Sequence, residues 1–111
     1  MFDANCKDEK CIRLKNTLNT EITFRTGAKV VDVELGYNIS KNTWWIGIVV
    51  IKSCMACKLV KDYMLKVFGL KPLRVDEGVR GGLLRTDRIL YSGLSKDELM
   101  DIDVLCRMKG Y

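Results

Sequence analysis

Cys54 and Cys57 are the residues whose type and spacing come closest to chemistry. They stand in Lys52-Ser-Cys-Met-Ala-Cys-Lys58, where an apolar strand-like run hands over to a helical pattern. A thiol in the first turn of a helix faces unpaired backbone amides and the positive end of the helix dipole, and both favour the thiolate. Lys52 and Lys58 flank the pair and Lys61 follows one turn later, adding positive charge. On that logic Cys54 is the exposed nucleophile with lowered pKa and Cys57 the resolving thiol. Thiolate attack, a mixed disulfide and release by the second thiol complete such a cycle.

Three further cysteines, Cys6, Cys11 and Cys106, bring the total to five in 111 residues. Cys6 and Cys11 with Cys54 and Cys57 supply four thiolates, enough for tetrahedral zinc. The alternative use of each is as a small buried hydrophobe. Histidine is absent, which excludes Cys-His nucleophile pairs and histidine-containing metal sites. The net charge is +5, and the stretch from Lys52 to Arg74 holds all of it, with six basic residues and one acid, Asp62. A basic helix with Lys58, Lys61 and Lys66 could meet a phosphate backbone, with Trp44 or Trp45 available for stacking. Asp97, Glu98, Asp101 and Asp103 read as the solvated face of the last helix and carry the wrong charge for phosphates. No P-loop or dinucleotide fingerprint is present; Gly78, Gly81 and Gly82 follow a strand but precede no helix. With no apolar run of eighteen residues and no signal-peptide layout, a cytoplasmic protein without a membrane span is expected.

The elements that position the thiols begin with Trp45 to Ile51, a near-continuous apolar run suited to a central strand covered on both faces. Met55, Leu59, Val60, Tyr63, Met64, Val67 and Phe68 then recur at helical spacing, and Gly69 closes that helix. Upstream, Lys7 to Leu18 reads as a helix, and Glu21 to Arg25 and Lys29 to Leu35 as a hairpin with Asp32 and Glu34 on a wet face. Gly36 to Asn42 reads as a loop. Downstream, Leu70 to Asp76 reads as a short strand and Glu77 to Gly82 as a glycine-rich bend. Leu83 to Arg85 and Arg88 to Tyr91 read as strands around a tight Thr86-Asp87 turn. Ser95 and Glu98 form a capping box for a last helix from Lys96 to Met108, ended by Gly110. A strand, crossover helix and strand imply a parallel pair, Trp45–Ile51 beside Leu73–Asp76.

From residue 45 to about 106 the chain resembles the thioredoxin/glutaredoxin family. The likeness rests on the strand IGIVVI, the turn KS, CMAC, the amphipathic helix, a strand ending VDE, the hairpin LLRTDRILYSGL and a helix begun by SKDEL. It implies an α/β single domain: residues 1–42 form an N-terminal helix and β-hairpin extension, and 43–111 a thioredoxin-like core with a mixed sheet. It also implies a thiol-disulfide oxidoreductase or redox-responsive protein with Cys54 and Cys57 as its dithiol and a protein thiol or disulfide as partner. Gly81-Gly82-Leu83 stands where the family carries a cis-proline, and Glu77 to Gly82 is too short for the family's second helix. The alternative expectation is a ferredoxin-like α+β sandwich serving as a regulatory, ligand-sensing or nucleic-acid-associated domain without catalysis.

Overall fold

In the computed structural model, which describes residues 9–53, 55–79 and 85–108, the order of elements is α1 (Glu9–Thr26), β1 (Val30–Asn38), β2 (Thr43–Ile51), α2 (Ala56–Phe68), β3 (Arg74–Glu77), β4 (Thr86–Leu94) and α3 (Lys96–Met108). Cys6, Cys54, Gly81, Gly82, the Leu83–Leu84 part of the expected hairpin and Gly110 lie outside the described residues.

Helix α1 is longer than its sequence suggests. Cys11, Leu14, Leu18 and Ile22 recur every three or four residues, and all are fully buried. That stripe carries straight through Glu21–Arg25, which therefore continues the helix rather than forming a strand. Strand alternation would place Ile22 and Phe24 together, whereas Ile22 is 0% exposed and Phe24 71%. The helix stops where the backbone turns left-handed at Gly27, φ 74°. Thr26 caps this end: its hydroxyl donates to the Ile22 carbonyl at 2.7 Å and accepts from the Ala28 amide at 3.1 Å.

Strand β1 pairs antiparallel with β2 through Asn38↔Thr43, so the strand occupies much of the expected loop. β2 then pairs antiparallel with β4, and β4 antiparallel with β3, giving the order β1-β2-β4-β3. The sheet among the described residues is wholly antiparallel rather than mixed. β2 and β3 do run in the same direction, as a crossover helix requires, but β4 lies between them and the expected side-by-side pair does not form. Length explains the preference. β4 matches β2 from Trp44↔Leu94 to Ile51↔Thr86, a far longer ladder than the four residues of β3 offer. Thr86 and Asp87, expected in a turn, lie within β4 and are buried.

The period of two along the strands sorts their residues into two faces. Val33, Ile46, Ile48, Val50, Ile89 and Tyr91 share one hydrophobic cluster with Leu14, Leu18 and Ile22 of α1, Val60 and Met64 of α2, and Leu99 and Ile102 of α3. The helices thus form one layer on one face of the sheet, a single core in which α1 and β1 take full part. This is the layering of the α+β alternative in its coarse form. Helix α2 ends on Gly69 at φ 69°, whose amide donates to the Leu65 carbonyl at 2.9 Å while Leu70 reaches back to Met64. Helix α3 begins on the expected capping box, Ser95 Oγ accepting from the Glu98 amide and Glu98 Oε1 from the Ser95 amide, both at 3.1 Å.

Candidate functional site

Cys57 occupies the first turn of α2, half-buried, with its thiol reduced. Ser53 Oγ accepts from the Ala56 amide at 3.0 Å and so takes up one of the donors that would face an anion there. Burial pushes the Cys57 thiol up from its ordinary value, and the Asp87 carboxylate adds to the rise. Lys61 and Lys52 pull the other way without prevailing. Lys52 also reaches Glu77 at 3.8 Å, which dilutes its effect on the thiol, and Lys58 is exposed. Nearby, the Tyr91 hydroxyl is buried without a hydrogen-bond partner among the described residues, and burial followed by the charge on Cys57 raises its pKa. The surroundings of Cys57 favour the neutral thiol.

The other two described cysteines lie on α1 and α3. Cys11 is fully buried in α1 and disulfide-bonded, and Cys106 is fully buried in α3. Among the described residues no group of three or more potential ligands surrounds a metal position. Two of the four expected zinc ligands, Cys6 and Cys54, lie outside the described residues.

The basic helix and the tryptophans are not brought together. Trp44 is buried, its ring 5.1 Å from that of Tyr37. Trp45 projects from the sheet face opposite α2, so the sheet stands between it and Lys58, Lys61 and Lys66. Asp103, expected on a solvated face, is 5% exposed and accepts from Arg13 at 3.1 Å and Arg107 at 3.3 Å, tying α1 to α3.

The helix-free face of the sheet carries a different construction. Its residues, by register, are Asp32, Glu34 and Gly36 on β1, Trp45, Gly47 and Val49 on β2, Arg88 and Leu90 on β4, and Arg74 and Asp76 on β3. Two glycines shape it. The indole of Trp45 lies directly over Gly36, in the space a Cβ would occupy. Gly47 leaves room for the Arg88 stem and the Glu34 carboxylate; a Cβ there would meet them at 3.0–3.3 Å. Arg88 can therefore lie across the sheet and donate from Nε and a terminal nitrogen to the two oxygens of Glu34, at 2.5 and 3.3 Å. The same guanidinium stands 3.7 Å from Asp76, which accepts from Arg74 at 2.9 Å. The result is an alternating row of acid and base, Glu34–Arg88–Asp76–Arg74, running from β1 over β2 to β4 and β3, half-buried except at the exposed Arg74. The pairing with Glu34 raises the Arg88 pKa further and keeps it charged.

Beside this row lies a groove of about 590 Å³, walled by Trp45, Leu73 and Leu90 and closed at one end by the β1–β2 turn with Lys41. Sequence reasoning missed Lys41, Arg74, Asp76 and Arg88 as site residues. Two signals were present: the wet-face acids Asp32 and Glu34, and Gly47 interrupting an otherwise apolar strand. The second face of β2 is indeed covered, but by an arginine-glutamate pair rather than by helices.

Compared with family models, with curated proteins and with solved structures, the chain finds no match. Among the described residues no helix is long and apolar enough to cross a membrane.

Proposed function

We propose that this domain is a non-catalytic binding module that takes a small ligand on its helix-free sheet face. The observation that carries the reading is the groove itself. It has the volume of a small-molecule site, apolar walls with a few convergent charged groups, and a floor already assembled by the ion row. Pre-assembly matters because a ligand entering such a site does not have to order it. The test is a backbone NMR titration with a mixture of small fragments. Shifts concentrated at Trp45, Leu90 and Arg88 are the expected result. Hits that move only resonances of α1, α2 or α3 would sink the reading.

A second reading, a dithiol redox protein acting on protein thiols or disulfides through Cys54 and Cys57, is favoured by one observation. Cys57 is a reduced thiol in the first turn of α2 with Lys52 and Lys61 acting on it. In this reading Cys54 attacks and Cys57, whose surroundings favour the neutral thiol, resolves. Alkylation rate against pH, on wild type and Cys54→Ser, tests this: a fast-reacting thiol lost on substitution is required. Rates no faster than those of an ordinary thiol end the redox reading.

A further inference from the structure

From the charge balance and shape of the groove, we propose that its ligand is a flat aromatic ring bearing a single anionic group. This rests on the reading of the helix-free face as a ligand site and goes on to name the ligand's chemistry. Five charged side chains line the groove: Glu34 and Asp76 are acidic, and Lys41, Arg74 and Arg88 are basic. Four of them neutralise one another along the row Glu34–Arg88–Asp76–Arg74. Lys41 is left over, exposed at the β1–β2 turn and making no ion pair with any described residue. The groove thus offers one uncompensated positive charge at one end, complementary to a monoanion.

The walls specify the rest of the ligand. The indole of Trp45 is seated over Gly36 and stands in the lining of the groove. Leu73, 59% exposed, and Leu90 stand in the same lining. A planar ring stacked on the indole covers this apolar surface, and aromatic stacking adds to simple area burial. An extended aliphatic anion gains the charge without the stacking; a neutral ring gains the stacking without the charge. A polyanion meets Glu34 and Asp76 as well as Lys41, and is disfavoured by both.

The experiment uses the full chain and three probes: 2-naphthoate, neutral 2-naphthalenemethanol, and cyclohexanecarboxylate. Binding is followed by calorimetry and by NMR shifts. 2-Naphthoate is expected to bind at least tenfold more tightly than either of the others (about 1.4 kcal/mol). Lys41→Gln should bring 2-naphthoate down to the level of the neutral alcohol while leaving the alcohol's affinity unchanged. Trp45→Leu, which keeps an apolar wall, should weaken both aromatic probes at least tenfold, and Lys58→Gln on α2 should change nothing. If the neutral alcohol binds as tightly as 2-naphthoate, or Lys41→Gln has no effect, the anionic assignment is overturned and the groove remains a ligand site. If no probe moves groove resonances, the ligand assignment and the binding reading fall together. The same holds if sedimentation shows that a second copy of the chain already covers the face.

Discussion

The two faces of strand β2 are solved by opposite means. On one, Ile46, Ile48 and Val50 are fully or almost fully buried against helices, the ordinary result of apolar surface leaving water. On the other, large side chains cover the glycines: the Trp45 indole lies over Gly36 of β1, and the Arg88–Glu34 pair over Gly47 of β2. The first face is stabilised by packing that excludes everything else. The second is built from a paired set of charges and an aromatic plane, and it leaves a groove beside them. The groove therefore lies where the sheet is covered by its own side chains and not by helices.

The helix-covered face is the more sensitive of the two. Ile48→Ala removes a side chain that is 0% exposed at the centre of the core. It should cost about 2–5 kcal/mol, read from the urea midpoint of unfolding. On the open face the corresponding insult is an addition. Gly36→Ala places a Cβ inside the space of the Trp45 indole. It should cost about 1–3 kcal/mol and shift the tryptophan emission as the ring is expelled. A similar cost with unchanged emission would mean that the Trp45 indole does not rest on Gly36. Gly47→Ala should be milder, below about 1 kcal/mol, because the atoms it meets belong to the flexible Arg88 stem and a carboxylate end. An intermediate loss, about 1–2 kcal/mol after allowing for partial solvent screening, is expected for Arg88→Met, since it strands Glu34 without its partner.

The smallest effect concerns Cys57 and depends on pH. Its pKa in the fold lies above the ordinary 9.0, with burial as the leading cause. The fold therefore prefers the protonated thiol. The stability it contributes is complete below the unfolded pKa and is lost as pH rises through the folded one. Cys57→Ala should flatten the decline of melting temperature above pH 9.0 relative to wild type, while changing the slope below pH 8 very little. An unchanged alkaline decline would assign it to other groups, of which buried Tyr91 is the first candidate.

What the sequence determined by itself was local or strongly periodic. The apolar run of β2, the helical spacing and Gly69 stop of α2, and the Ser95–Glu98 box of α3 are each written within a dozen residues and each is present, although of the α2 stripe Val60 and Met64 are buried while Met55 and Leu59 are exposed. The wet face of β1 was legible for the same reason: alternation of Asp32 and Glu34 with Val31, Val33 and Leu35 needs no partner to be recognised. Tertiary structure decided the rest, because the deciding contacts join residues far apart in the chain. Glu21–Arg25 fits a strand by alternation and a helix by its stripe, and only packing of Ile22 into the core chooses between them. β4 displaces β3 from the side of β2 because the longer ladder satisfies more backbone groups. The same rule made the thiol pair conspicuous, since its logic lies in four consecutive residues. It hid the groove, where Glu34 and Arg88 meet across 54 residues and a glycine on the strand between them makes room.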